Sequence, residues 1–122
     1  MSSNKQISEN KSFEVTQDII EKLEKLIENK NVKEVNDYFH SLHPADAAEV
    51  LSNLSEKSRF NLLLLETLEL KADTIIELNN TLQKDILNKL PAEEVANIVN
   101  DLESDNALQV VSNLNEEKKI EV

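Results

Sequence analysis

Three carboxylates alternate along the chain at Asp101, Glu103 and Asp105, the spacing with which a calcium-binding EF-hand loop begins. Such a loop needs a glycine at its sixth position for a sharp turn and a bidentate glutamate at its twelfth. This chain has Asn106 and Ser112 at those two positions. The sequence therefore excludes a self-contained calcium loop in this segment.

Two histidines and their neighbours are the other residues that could do chemistry. His40 and His43 are three residues apart, a spacing that lets two imidazoles share a metal on one continuous helix. Pro44 places a helix boundary there, because the residue before a proline avoids helical geometry, and this turns His43 toward a capping role. His40, Ser41 and Asp46 are the residue types of a hydrolytic triad, but no oxyanion-hole loop or nucleophile elbow accompanies them. We predict that the protein is not an enzyme.

The composition narrows the classes of partner. With 24 acidic and 13 basic residues the formal net charge is −11, whereas nucleic acids and anionic membranes normally bind a basic face. Two explanations of this negative charge stay open. The protein binds a cationic partner, or its acidic surface serves only to keep it soluble. The longest apolar run, residues 62–65, is too short to cross a bilayer. We expect neither nucleic-acid binding nor membrane insertion by this segment.

The elements that would position these side chains are short helices. Residues 1–14 are polar and aperiodic, which is typical of a disordered tail. From Thr16, a suitable N-cap, apolar residues follow a helical stripe up to a break at residues 29–31, and a second helix runs from Val32 to Leu42. No stretch alternates apolar and polar residues for long, so we expect no strand.

A leucine returns every twelfth residue through the rest of the chain, with Glu66 in one of the positions. The leucines of this repeat are Leu42, Leu54, Leu78, Leu90, Leu102 and Leu114. The units beginning at His43, Pro91 and Glu103 share apolar residues at their fifth, sixth, eighth, ninth and twelfth positions, which lie on one helical stripe. A unit this short cannot bury its own apolar face, so the units must stack. The sequence predicts an all-α solenoid of about eight short antiparallel helices.

The middle of the chain fits this period less well. We interpret residues 55–78 as two units whose shared boundary is displaced by two residues. The leucines at 62–65 predict that the fourth helix is the longest of the short helices. We expect that leucine run and the Tyr38–Phe39 pair to belong to the core. Residues 115–122 have the pattern of a ninth helix cut short, so we expect the natural protein to continue.

Two segments resemble the cytoplasmic N-terminal domain of MgtE-type magnesium transporters. LHPADAAEVLSNL at residues 42–54 is similar to the opening motif of that family, L-H-P-A-D-x-A-E-x-L-x-x-L, and LPAEEVA at residues 90–96 is similar to its repeat, L-P-x-E-x-A-x-x-L. The resemblance covers residues 19–114. The middle units depart from it, because Leu68-Glu69 and Leu78-Asn79 stand where Leu-Pro is usual.

The resemblance implies a right-handed superhelical solenoid over residues 15–122. In the family this domain precedes a pair of CBS modules, a plug helix and a magnesium-conducting membrane domain in a homodimer, none of which is present here. It also implies a cytoplasmic location, at the cytoplasmic face of the inner membrane in the full-length protein.

The resemblance further implies that Mg²⁺ binds weakly between this domain and the CBS modules. Asp73 and Asp105 occupy positions where the family places acids, with Asp101 and Glu103 as nearby reserves. Mg²⁺ prefers oxygen ligands, keeps several waters and often takes only one or two carboxylates from one surface, so a partner would complete its shell. An ordinary alternative stays open for each residue: Asp105 suits a helix N-terminus, and Asp73 suits a solvated surface.

These implications predict a regulatory domain that contributes acidic residues to Mg²⁺-dependent gating at the interface with the CBS modules. An alternative is a helical protein–protein interaction scaffold related to the flagellar motor-switch protein FliG, whose middle repeats resemble this fold. A third is a free-standing acidic domain that binds a basic partner. Continuation of the gene into CBS modules and hydrophobic spans would favour the transporter, and continuation into further helical repeats would favour the scaffold.

Overall fold

The computed structural model describes residues 14–121, and every regular element within them is an α-helix. The helices are α1 Gln17–Glu28, α2 Val32–His40, α3 Pro44–Asn53, α4 Glu56–Leu63, α5 Ala72–Glu77, α6 Asn80–Lys89, α7 Ala92–Asn100, α8 Ser104–Ser112 and α9 Glu116–Glu121. The all-α prediction is therefore confirmed. The disordered tail predicted for residues 1–14 lies outside the described residues except for Glu14.

Helix α1 begins and ends where the sequence predicts, whereas α2 begins at Val32 as predicted but ends at His40, before the predicted Leu42. Thr16 Oγ1 accepts a hydrogen bond from Ile19 N–H at 3.3 Å and caps α1. Asn31 Oδ1 accepts one from Glu34 N–H at 3.4 Å and caps α2. Between them Lys30 has a φ of 57°, and because the chain has no glycine, a residue with a Cβ atom adopts this left-handed turn.

The twelve-residue period appears as a regular spacing of helix starts. Helices begin at residues 44, 56, 80, 92, 104 and 116, so the predicted repeat is confirmed for these units. Ser55 Oγ accepts from Ser58 N–H at 3.0 Å, and Asn79 Oδ1 accepts from Leu82 N–H at 2.9 Å. Serine and asparagine thus supply the caps that open these units.

The connection between α4 and α5 breaks this regularity. The prediction that the fourth helix is the longest of the short ones is wrong, because α4 ends at Leu63 and α5 begins only at Ala72. The side chain of Asn36 on α2 donates from Nδ2 to Thr67 O at 3.0 Å and accepts at Oδ1 from Glu69 N–H at 2.9 Å. These bonds pair backbone groups of the segment between α4 and α5, so this segment does not need a further helical turn to satisfy those groups.

The leucines of the repeat line the core. Leu54, Leu78, Leu90 and Leu114 are buried, and Leu42 and Leu102 are half-buried against them. Helix α3 packs on α5, α1 packs on α2 and α4, and α7 packs on α8. Packing between helices two places apart in the chain is consistent with a solenoid, and its right-handed twist stays a prediction.

Two apolar predictions need correction. Leu62, Leu63 and Phe39 are buried as expected and Tyr38 is half-buried, but Leu64 is 64% exposed. Leu64 is the C-cap residue of α4, so it lies past the turn that faces the core. Leu108, the sixth residue of the unit that begins at Glu103, is 69% exposed because no described element covers that side of α8.

Candidate functional site

Net negative charge is concentrated on α7, α8, the turns beside them and the start of α9. Residues 90–117, which we name the acidic stretch, contain seven acids and no Lys or Arg, and so carry −7 of the net charge of −11. The acids are Glu93, Glu94, Asp101, Glu103, Asp105, Glu116 and Glu117. Glu94 is half-buried and the others are exposed. Among the described residues only Glu116 of this set has an ion-pair partner, Lys119 at 3.5 Å.

The turn between α7 and α8 holds two of these acids. Asp101 is the C-cap residue of α7, and its N–H donates to Asn97 O and Ile98 O, both at 3.2 Å. Glu103 is the N-cap residue of α8, and its carbonyl oxygen accepts from Ala107 N–H at 2.8 Å. The backbone of both residues is therefore fixed by hydrogen bonds while their side chains stay in solvent.

Asp105 lies in the first turn of α8 and is exposed. The positive end of the helix dipole stabilises its carboxylate there. The N-cap residue, Glu103, makes no side-chain hydrogen bond to the helix. Asp105 thus fits the structural role of a carboxylate at a helix N-terminus, and its oxygens remain accessible to a ligand.

Asp73 lies on a different helix from the other candidates. It is in the first turn of α5, exposed between the buried residues Ala72 and Thr74. Within residues 14–121 no three His, Asp or Glu side chains converge closely enough to hold a metal ion. A metal ion at Asp73 or at the α7–α8 turn would therefore need further ligands from water or from another domain.

The two histidines do not form a site. His40 ends α2 and its Nε2 atom lies 3.9 Å from Glu69 Oε1, whereas His43 occupies the N-cap position of α3. The predicted boundary at Pro44 is confirmed, but the imidazole of His43 makes no capping hydrogen bond, and only the backbone carbonyl of His43 accepts, from Ala47 N–H at 2.9 Å. Ser41 Oγ donates to Tyr38 O at 2.6 Å, not to an imidazole.

Buried amides that sequence reasoning missed position the acidic stretch. Gln83 on α6 is fully buried, its Nε2 donates to Ile75 O at 3.0 Å, and its Oε1 accepts from Asn113 Nδ2 at 2.5 Å. Asn88 Nδ2 donates to Asn113 O at 3.1 Å and Asn88 Oδ1 accepts from Asn115 N–H at 2.9 Å. The one signal in the sequence is that Gln83 occupies the fifth position of its unit, where the units beginning at His43, Pro91 and Glu103 have an apolar residue.

Stacked short helices with exposed carboxylates make this an all-α helical-repeat domain. The family model of the MgtE intracellular N domain matches residues 42–122. The chain belongs to this family, which confirms the resemblance read from its motifs. Helices α1 and α2 lie before the matched range. Neither a curated protein nor a solved structure gives a significant match.

Family membership indicates a cytoplasmic domain of a magnesium transporter. Across residues 14–121, each helix is too short or too polar to cross a membrane.

Proposed function

We propose that this chain is a regulatory domain of an MgtE-type magnesium transporter and that its acidic stretch contributes to Mg²⁺-dependent gating. The observation that carries this proposal is the run of seven carboxylates between residues 90 and 117, six of them exposed, uninterrupted by any Lys or Arg. Its partners would be the CBS modules and the membrane domain of the same transporter, within a homodimer.

Electrostatic repulsion would keep this domain apart from an acidic neighbour when Mg²⁺ is scarce. Two like charges about 4 Å apart near a protein surface cost roughly 1 to 4 kcal/mol. Asp101, Glu103 and Asp105 lie within five residues of one another, and the described structure gives none of them a cationic neighbour. The repulsion from this turn is therefore not neutralised within the described part of the domain.

Bridging by Mg²⁺ would reverse this effect. Mg²⁺ is a hard cation that favours carboxylate oxygens and retains several waters, so it can join carboxylates from two surfaces without a complete cage on either. We assign Asp105 and Asp73 as the principal ligands from this chain, with Asp101 and Glu103 as reserves. The exposure of all four side chains supports this assignment.

The energy required is within reach of a few bridged pairs. Moving a population from 1:99 to 99:1 requires about 5.5 kcal/mol of differential binding. Relief of several repulsive pairs, together with the attraction of each carboxylate to the ion, supplies a free energy of that order, although salt at physiological strength screens each pair. Closure of the two domains would then stabilise a compact, non-conducting state.

Limited proteolysis of the full-length transporter tests this proposal. Millimolar Mg²⁺ should slow cleavage between this domain and its neighbour, and the triple variant Asp101→Asn, Glu103→Gln, Asp105→Asn should need a higher Mg²⁺ concentration for the same protection. Asp73→Asn, tested separately, should shift the midpoint in the same direction.

A second triple variant controls for the change in net charge. Asp18→Asn, Glu21→Gln and Glu49→Gln remove three exposed carboxylates from α1 and α3 and should leave the Mg²⁺ midpoint close to the wild-type value. Cleavage that does not change across the Mg²⁺ titration, or equal shifts in both triple variants, would contradict the proposal.

A further inference from the structure

Helix α8 leaves most of its apolar side chains uncovered. Its apolar residues are Ala107, Leu108, Val110 and Val111, and only Val110 among them is buried. Leu108 is 69% exposed, and Ala107 and Val111 are half-buried. Val111 follows Ala107 by four residues and Leu108 by three, so these three side chains share one side of the helix. We name this surface of Ala107, Leu108 and Val111 the α8 stripe.

The equivalent side of another repeat unit is buried against a helix. The residues of the α8 stripe occupy the fifth, sixth and ninth positions of the unit that begins at Glu103. In the unit of α3 these positions hold Ala47, Ala48 and Leu51, which are all buried, and α3 packs on α5. Within residues 14–121 no element covers the exposed Leu108 in the same way. By this equivalence, the element that fits over the α8 stripe is a helix with an apolar side.

Acidic residues lie before, on and after α8. Asp105 is exposed and lies three residues before Leu108, about one helical turn away. Two further acids lie in the turn before α8 and two at the start of α9. The next bases along the chain are already bonded, because Lys118 donates to the C-cap carbonyl of α6 at 2.8 Å and Lys119 pairs with Glu116 at 3.5 Å. The α8 stripe therefore lies within an acidic part of the chain.

Charge selects among the helices that could cover the α8 stripe. A helix with Lys or Arg beside its apolar side chains would be attracted by the carboxylates, whereas an acidic helix would be repelled. A second copy of α8 would bring the same carboxylates and would be repelled as well. The α8 stripe is therefore complementary to an amphipathic helix that is apolar on one side and basic at its flanks.

We propose that the α8 stripe is the docking surface for a basic amphipathic helix of a partner protein. Apolar side chains of that helix pack against Leu108 and Val111, and its Lys or Arg side chains face Asp105 and the neighbouring acids. Burial of Leu108 supplies the apolar anchor, and the carboxylates select the charge and the orientation of the helix. The contact does not require Mg²⁺ and is separate from the gating function proposed above.

Calorimetric titration of the 122-residue chain with synthetic peptides, in the absence of Mg²⁺, tests this surface. The probe is a peptide of about 18 residues of Leu, Ala and Lys, long enough to form a helix, with its leucines on one side. It should bind about 10-fold or more tightly than a scrambled peptide of the same composition, and than the same peptide with Glu in place of Lys. Equal affinity for either control peptide, or no binding of the probe, would overturn the proposal.

Variants of the chain locate the bound peptide. Leu108→Ser should weaken binding of the basic amphipathic peptide about 10-fold or more, because a central apolar anchor carries a large share of binding energy. Leu64→Ser, at a leucine of α4 that is 64% exposed, is the matched control and should leave the dissociation constant unchanged. Asp105→Asn should weaken binding a few-fold at about 0.1 M NaCl and less at about 1 M, where salt screens the charge. Equal effects of the two leucine variants, or no effect of Asp105→Asn at either salt concentration, would contradict docking at the α8 stripe.

Discussion

The side-chain amide of Asn113, at the end of α8, donates a hydrogen bond of 2.5 Å to the side-chain carbonyl of the fully buried Gln83 on α6. Gln83 in turn donates to the backbone carbonyl of Ile75 on α5 at 3.0 Å. The side chain of Gln83 on α6 is therefore hydrogen-bonded both to α5 and to the end of α8. This buried amide pair thus fixes the C-terminal end of α8, within the acidic stretch, against α6.

Replacing Gln83 with leucine should lower the free energy of unfolding by about 1 to 3 kcal/mol, because it removes two buried hydrogen bonds worth about 0.5 to 1.5 kcal/mol each. The carbonyl of Ile75 keeps only its bond from Leu78 N–H at 3.2 Å, and Asn113 keeps its bond to Asn80 Oδ1 at 2.9 Å. Urea unfolding followed by circular dichroism measures the change. Gln109→Leu, at an exposed glutamine on α8, should change stability by less than about 0.5 kcal/mol, and similar losses in both variants would contradict the role of Gln83.

Asn36→Ala should loosen the segment between α4 and α5. It removes the two hydrogen bonds that the Asn36 side chain makes to this segment, to Thr67 O and from Glu69 N–H. We expect faster amide hydrogen exchange at residues 64–71 and a loss of about 1 kcal/mol in stability. Asn100→Ala, at an exposed asparagine that ends α7, is the matched control, and unchanged exchange at residues 64–71 in Asn36→Ala would count against this explanation of the break.

Thr67→Gly should stabilise the protein by about 0.5 to 1 kcal/mol, because a β-branched residue at positive φ is strained and glycine relieves that strain. The φ of Thr67 is 62°. The same replacement at Thr81, in the first turn of α6, should destabilise the protein by about 1 kcal/mol, since glycine is a poor helix former. Thermal unfolding of the two variants should shift in opposite directions, and a shift downward in both would show that Thr67 is not strained.

Tyr38 should titrate above the ordinary range for tyrosine. Burial raises the pKa of its phenol from the usual 10.0, because desolvation disfavours the phenolate. Tyr38 is the single tyrosine of the chain, so absorbance near 295 nm reports its ionisation alone. The midpoint should be higher in the folded protein than in urea, and identical midpoints would contradict the burial of this group.

The same pKa shift predicts a pH dependence of stability. The folded state holds the phenolic proton more tightly than the unfolded state, so the contribution of Tyr38 is fully present below pH 10 and is lost as the pH rises through the raised pKa. Tyr38→Phe should therefore lose less stability than the wild-type chain between pH 9 and pH 11. The Tyr38 hydroxyl is buried with no hydrogen-bond partner among the described residues, so this variant should not be destabilised at neutral pH.

The repeating helices could be predicted from the sequence because each depends on local information. The apolar positions of a unit lie on one stripe, and Ser55, Asn79 and Pro44 mark helix starts through capping and backbone restriction. Both kinds of signal act within one or two helical turns. The family motif at residues 42–54 likewise lies within a single unit.

The features that could not be predicted depend on residues far apart in the chain. The leucines at 62–65 predict a longer α4, but Asn36, which lies 31 residues before Thr67, stabilises an irregular segment instead. The exposure of Leu64 follows from the same early helix end. For the candidate site, Asp73 and Asp105 could be placed on their helices, but their metal ligation stays a prediction, because any remaining ligands lie outside the described residues.

Hydrogen exchange of the full-length transporter, measured with and without millimolar Mg²⁺ at constant ionic strength, tests the central claim most directly. The acidic turn spans Asp101 to Asp105, and bridging to a neighbouring domain should slow amide exchange in peptides covering residues 100–107. The exchange of α1, which carries none of the proposed ligands, should not change. Slower exchange at the α7–α8 turn with Mg²⁺ and not with Na⁺ is the predicted result, and equal exchange at this turn under both conditions would contradict the account.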